Sequence, residues 1–208
     1  MIHDHKTLKS NIVLFLIFTV ISLVVCKVIY LEKAIEKEIF NQIAINEAIK
    51  RQKLTNTEFL NKIQDTKTIT TLCKKHKISY EFAETVLNFS RKYEQPDFPK
   101  SKDILAIISI ESGFNPNAKS NLKNDPAKGL MQIRVKMWKE LIGSNEYNIE
   151  NQIKNGAAIL SIYYKKLKNK KQAVMAYNMG IGSIKSGNVN YEYFKKYSEA
   201  VQFLENIS

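Results

Sequence analysis

The chain has 208 residues, 44% of them hydrophobic and 25% charged, enough apolar material for one buried core plus an appendage. Lys and Arg number 32 against 20 Asp and Glu, and the formal charge of +12 suits an anionic partner such as nucleic acid, acidic lipid or an acidic wall polymer. No zinc-finger spacing and no aromatic RNP-type strand occurs, and the lysines are dispersed, so a nucleic-acid partner is not expected and the charge reads first as solvated surface.

In chain order, the first element is a strongly apolar segment over residues 11–25, which extends to Tyr30 if Lys27 snorkels. It just reaches the roughly 20 residues that span a bilayer core. Lys6 and Lys9 precede it as in a signal-peptide n-region, but no small-x-small cleavage site follows. Residues 1–30 are therefore expected to be an uncleaved signal anchor, a single transmembrane helix. Flanking charge leaves its orientation open, because Lys27, Lys33 and Lys37 are mixed with Glu32, Glu36 and Glu38. Cys26 lies inside the segment without the small residues of a lipoprotein site, so neither lipidation nor a disulfide to Cys73 is expected. Cys73 reads as an ordinary half-buried thiol. His3, His5 and His76 make no metal-ligand spacing with the cysteines, so no metal is expected.

Residues 31–53 form an amphipathic helix, with Ile35, Ile39, Ile43, Ala44 and Ile49 in helical step. This suits a stalk or a helix lying on a membrane. Thr55 and Glu58 have the spacing of a capping box that opens a new helix bearing Phe59, Leu60 and Ile63. Residues 31–78 are thus expected to be a helical stalk.

Residues 79–208 read as a globular domain of short helices. Ser79 caps a helix carrying Phe82, Val86, Phe89 and Tyr93, ended by Pro96 and Pro99. Ser101 caps the next, with Asp103 in its first turn to suit the dipole. Residues 115–127 form a polar loop, and a helix is expected to resume over 129–138. Further helices are expected at 148–168, 171–179 and 191–207, the first of these marked by Ile149, Ile153, Gly156, Leu160, Tyr163 and Leu167 in step. No two-residue alternation is evident, so the domain is expected to be all-α.

Within it, Glu111 sits at the end of an apolar helical run, with Ile104, Ile107 and Ile108 seven, four and three residues before it and on its face. Desolvation there favours the neutral acid and raises its pKa. A carboxyl protonated near neutral pH is what a general acid needs. On periodicity alone, a helix-end glutamate that reaches past the stripe to water is the simpler reading.

The residues that follow bear on that choice. The run from Glu111 through Ser112, Gly113, Phe114, Asn115 and Pro116 to Ser120 resembles the catalytic signature of lytic transglycosylases with a soluble-lytic-transglycosylase (SLT) domain of lysozyme-like fold. Gly129-Leu130-Met131-Gln132-Ile133 with Trp138 is similar to the second motif of that family. Asn151-Gln152-Ile153 with Gly156-Ala157 is similar to the third, and Ala176-Tyr177-Asn178-Met179-Gly180-Ile181-Gly182 to the fourth. The resemblance implies a peptidoglycan-cleaving lyase without a cofactor, with Glu111 as its single acid and base. It implies that Ser120 contacts the sugar or orients the reacting group and that Gln132 hydrogen-bonds the glycan. Tyr177 and Asn178 would face Glu111 across the cleft, with Tyr177 steadying the carboxyl or the substrate's N-acetyl group. The implied product is a 1,6-anhydro-N-acetylmuramoyl end, formed at the bond to N-acetylglucosamine. The implied partners are glycan strands and, through the anchor, the inner membrane, with the domain exported and residues 1–10 in the cytoplasm. Protein partners are not indicated.

The sequence also departs from that family. Lys123-Asn124-Asp125 lengthen the loop before Gly129, Pro126-Ala127 stand where Gly-Ala is usual, Arg134-Val135 replace Met-Pro, and Ile159 replaces a tyrosine. Arg134 either binds an acidic polymer or is merely exposed. Asp125 offers a second carboxylate, as a hydrolase of the goose-lysozyme type requires. An inactive glycan-binding module of an envelope assembly is the remaining alternative.

Overall fold

The computed structural model describes residues 2–142 and 147–207, with side chains from residue 15 onward. Lys6, Lys9, His3 and His5 therefore lie outside the described side chains, as do Met1 and Ser208 at the chain ends. The chain divides into two compact units, Met1–Leu60 and Asn61–Ser208.

Helix α1, Ile2–His76, runs without a break through both units. In the first unit it is the whole structure, and every described side chain there is exposed. Its apolar part is long and hydrophobic enough to cross a membrane, with a mean hydropathy of 2.2 over its best window. The new helix expected at Thr55 does not form. The Thr55 hydroxyl donates back to the Arg51 carbonyl at 3.1 Å, one turn earlier, instead of capping a fresh N-terminus. No Gly or Pro occurs anywhere in α1 to break the ladder.

In the second unit, the end of α1 contributes to the core, burying Ile69 and Leu72. The ring of His76 rests on Phe114 with centroids 4.5 Å apart. Helix α2, Tyr80–Lys92, begins where the Ser79 hydroxyl accepts from the Phe82 N–H, and buries Ala83, Val86 and Leu87. Helix α3, Ser101–Glu111, lies deepest: Ile104, Ala106, Ile107 and Ile108 are all 0% exposed. Each isoleucine contributes about 2 kcal/mol by burial. The N-cap of α3 is Lys100, not Ser101 as expected. Its backbone N–H donates to the Asp103 carboxylate at 2.8 Å, so the cap acceptor stands three residues inside the helix.

The helix expected over 129–138 is not formed. Gly129 at φ +73° and Gln132 at φ +47° are left-handed and incompatible with a helical turn. The chain makes a small antiparallel pair, β1 (Ala127–Lys128) with β2 (Ile133–Arg134), in which Ala127 faces Arg134 and Lys128 faces Ile133. Two residues per strand are too few to leave an alternation in the sequence. The short α4, Lys139–Ile142, follows. Helix α5, Ile149–Leu167, is capped by Asn148 and closed by Lys168 in the left-handed region. Helix α6, Lys170–Met179, ends at Gly180 (φ +83°), and α7, Ile181–Lys185, starts at once. Helix α8, Tyr191–Glu205, packs along α3, while α5 lies against α2 and α6. Apart from the β1–β2 pair, the described second unit is helical, and its fold class is all-α.

Candidate active site

The last turn of α3, the β1–β2 turn, α5 and the end of α6 enclose a cleft of about 320 Å³, at the lower end of ligand-sized sites. Its wall includes Glu111, Ser120, Gln132, Tyr177 and Asn178, so the five candidate residues, drawn from three sequence motifs, meet at one surface.

Glu111 stands at the C-terminal end of α3, where the helix dipole opposes an anion. Behind it lies the buried isoleucine face, and among the described residues one hydrogen bond reaches its carboxyl, from the Tyr193 hydroxyl to Oε1 at 2.5 Å. Burial pushes its pKa from 4.5 up to about 7, against the smaller opposing effect of the Tyr193 donor. The alternative of a glutamate that reaches free water does not describe this half-buried group. Tyr193 itself is buried, and its phenol is held well above its ordinary value by burial and by the Glu111 charge.

The motif residues around Glu111 divide into wall and scaffold. Ser112 donates from its hydroxyl to the Leu130 carbonyl at 2.8 Å and so ties the first motif to the second. Ser120 lines the cleft, but its hydroxyl accepts from the Ala127 N–H at 2.8 Å while its own N–H donates to the Ala127 carbonyl, closing the 120–127 loop. Gln132 donates from Nε2 to the Ala118 and Gly129 carbonyls at 3.1 and 3.0 Å. Two carbonyl acceptors fix the amide orientation and leave Oε1 as the group available for a ligand N–H or O–H.

Tyr177 lines the cleft with its ring, but its hydroxyl donates to the Met131 carbonyl at 2.7 Å. The phenol that steadies the carboxyl is Tyr193, a residue the sequence reasoning missed. A signal existed. Tyr193, Tyr197, Ala200 and Leu204 form the buried stripe of α8, and a tyrosine on a buried stripe needs a hydroxyl partner. Asn178 is exposed and accepts from the Asn190 side chain at 2.9 Å.

Gln152 and Gly156 of the third motif hold the wall from behind. The Gln152 Oε1 accepts from the Leu130 N–H at 2.8 Å, a position a Cβ on Gly129 would invade at 2.3 Å. Gly156 makes room for Met131, whose Sδ would lie 2.2 Å from a Cβ there.

Asp125, the candidate second carboxylate, does not line the cleft. It accepts the Lys136 and Met137 N–H groups, both at 3.1 Å, and pairs with Arg134 at 3.5 Å. Its role is to hold the turn after β2. Among the described residues, Glu111 is the one carboxylate on the cleft wall.

The described second unit is thus an all-α domain with a single half-buried glutamate on the wall of its cleft. Residues 89–200 match the Transglycosylase SLT domain, more than half of the chain, and the chain belongs to that family. Solved structures that resemble it include two of a soluble lytic transglycosylase. One is the 70-kDa soluble lytic transglycosylase of Escherichia coli, at 24% identity and a TM-score of 0.40, covering 58% of this chain and 22% of that one. The other is a complex of the 70-kDa soluble lytic transglycosylase with bulgecin A, at 22% identity and a TM-score of 0.42, covering 73% of this chain and 28% of that one. The chain thus spans about a quarter of the length of the structures it matches. No curated protein matches it.

Proposed function

We propose that the chain is a membrane-anchored peptidoglycan lytic transglycosylase. The observation that carries this reading is Glu111: a carboxyl with a pKa near 7, one hydrogen-bond donor, and no second carboxylate on the described cleft wall. Most glycosidases of either stereochemistry use two carboxylates. One carboxyl suffices where the substrate supplies the nucleophile.

Protonated Glu111 gives its proton to the glycosidic oxygen between N-acetylmuramic acid and N-acetylglucosamine as the bond to C1 breaks. The resulting carboxylate then takes the proton of the muramoyl C6 hydroxyl, and O6 closes on C1. The products are a 1,6-anhydromuramoyl end and a free C4 hydroxyl on the departing sugar, with no water consumed and Glu111 again protonated. A pKa near the working pH serves both half-steps. Tyr193 occupies Oε1, which leaves the other carboxyl oxygen to carry the travelling proton. Gln132 and Asn178 present amide groups to the sugars, and the Tyr177 ring forms a wall that its bond to Met131 keeps rigid.

In the hydrolase reading Asp125 or another carboxylate would activate water; the hydrogen bonds of Asp125 to the turn, and the lack of another carboxylate on the described cleft wall, favour the transglycosylase. The apolar part of α1 would anchor the chain in the inner membrane as a single pass, with everything beyond Tyr30 on the wall side. A cysteine introduced at exposed Ser186 in a cysteine-free background should then react with a membrane-impermeant maleimide in intact spheroplasts.

The deciding experiment is digestion of purified sacculi by the full chain in detergent. Mass spectrometry should find anhydromuramoyl ends, and Glu111→Gln should lower their release about a thousandfold. Reducing muramoyl ends without anhydro species would replace the proposal by a hydrolase. Release at the wild-type rate by Glu111→Gln would remove Glu111 from the chemistry.

A further inference from the structure

We propose that Arg134 forms a carboxylate-binding subsite in the cleft, which recognises the acidic group on the lactyl side chain of the muramoyl residue. The inference rests on the glycan substrate argued above and adds to it the part of that substrate read by charge.

The chain carries +12 overall, yet Arg134 is the one cation on the described cleft wall. Its backbone is fixed by the pairing of β2 with Ala127. Its Nε lies 3.5 Å from Asp125 Oδ2, and that carboxylate is itself held by two backbone N–H groups. The Asp125 side chain is 10% exposed and the Arg134 side chain 49%. The buried acid therefore pairs with the Nε side of the guanidinium, while about half of the Arg134 side chain remains exposed on the cleft wall. No described residue accepts a hydrogen bond from its terminal nitrogens.

A guanidinium held by one edge presents its remaining N–H groups as a planar fork, the geometry that matches a carboxylate. The sugar rings offer hydroxyls and acetamides, which are neutral. The acidic groups of the glycan lie on the lactyl side chain, as a free carboxylate or as those of an attached stem peptide. Leu122 and Met137 line the same cleft with exposed apolar side chains, and methyl-bearing lactyl or alanyl groups would cover them.

Steady-state cleavage by the full chain in detergent would be compared on three glycans: peptide-bearing strands, peptide-free strands with free lactyl carboxylates, and peptide-free strands whose lactyl groups are converted to methylamides. Arg134→Gln should raise KM about tenfold on at least one acidic substrate, about 1.4 kcal/mol, with kcat within about twofold. It should leave the methylamide unchanged, and Arg134→Lys should recover part of the loss. A shift confined to peptide-bearing strands assigns the ligand to the stem peptide, and one on free lactyl strands assigns it to the sugar's own acid. An equal change on all three, or none on any, overturns the subsite, the first marking Arg134 as a support for the β2 turn. Wild-type protein that cleaves none of the three would instead overturn the function on which the inference rests.

Discussion

Asp103, in the first turn of α3, and Glu111, its last residue, are carboxylates on one helix in unlike surroundings. Asp103 is the more buried, at 4% exposure, and it is fully partnered. The Lys100 N–H donates to it, the Lys170 ammonium lies 2.8 Å away, and Tyr197 donates its hydroxyl. The positive end of the helix dipole adds to this. Glu111 sits at the negative end, with a single tyrosine donor and an apolar face behind it. Depth alone therefore does not make a general acid. A buried acid whose charge is fully compensated holds a structure together, while a shallower one with too few donors is left ready to exchange a proton.

The comparison is broken most severely by removing each acid in turn. Glu111→Gln should lower the cleavage rate by about a thousandfold, read as anhydromuropeptide release, while the protein stays folded. Asp103→Ala should do the opposite. It strands Tyr197 and removes the cap of α3, and is expected to cost about 2–3 kcal/mol, discounted because Lys170 is half-exposed. The melting temperature should fall by roughly 5–10 °C, with kcat of the folded fraction within about twofold. An Asp103→Ala protein of unchanged stability would show that its three partners are incidental.

Much of this contrast is legible in the amino-acid sequence alone. The apolar stripe of α3 runs from Ile104 to Ile108 and marks Glu111 as a costly charge, and of the four motifs the first, second and fourth name wall residues while the third names their support. Helices α2, α5, α6 and α8 carry their caps or their periodicity openly. Two kinds of feature are not legible. Local signals mislead where a longer context overrides them: Thr55 is a good cap residue, but an unbroken helix on both sides holds it in register. Partners distant in the chain are invisible: the α8 stripe says that the Tyr193 hydroxyl needs a partner, but not that it meets Glu111 across 82 residues. Asp125 has the same cause. Its loop suggests a second catalytic acid, and only the folded chain shows its oxygens already occupied by the turn after β2.

A smaller effect of the Glu111 surroundings is read through pH. The folded pKa of Glu111 is near 7 against 4.5 for the free carboxyl. The folded chain therefore binds this proton more tightly than the unfolded chain between those values, and the stability it confers is full below about pH 4.5 and lost as pH rises through 7. Glu111→Gln has no proton to lose. Wild type and variant should melt together near pH 4. By pH 8 the variant should be the more stable by about 1–2 kcal/mol, after allowance for the partly solvated site. Parallel melting curves across this range would mean that Glu111 titrates as it does in water.

The finest adjustment belongs to Tyr193. Its hydroxyl favours the ionised carboxyl and so holds the Glu111 pKa below the value burial alone would set. Tyr193→Phe removes that donor and keeps the ring in the α8 stripe. The pKa of Glu111 should rise, and the alkaline limb of kcat/KM, where the acid is lost, should move to higher pH by less than about one unit. Plateau activity should fall roughly three- to tenfold, because Oε1 is no longer anchored and the proton-bearing oxygen loses its fixed direction. A tyrosine that served only to fill the core would lower the melting temperature and leave the limb in place. The corresponding change one turn along α8, Tyr197→Phe, takes a donor from Asp103 and should leave the limb where it is. A limb that moved equally in both variants would mean that α8 acts on α3 as a whole, and that the difference between its two acids does not reside in their hydrogen bonds.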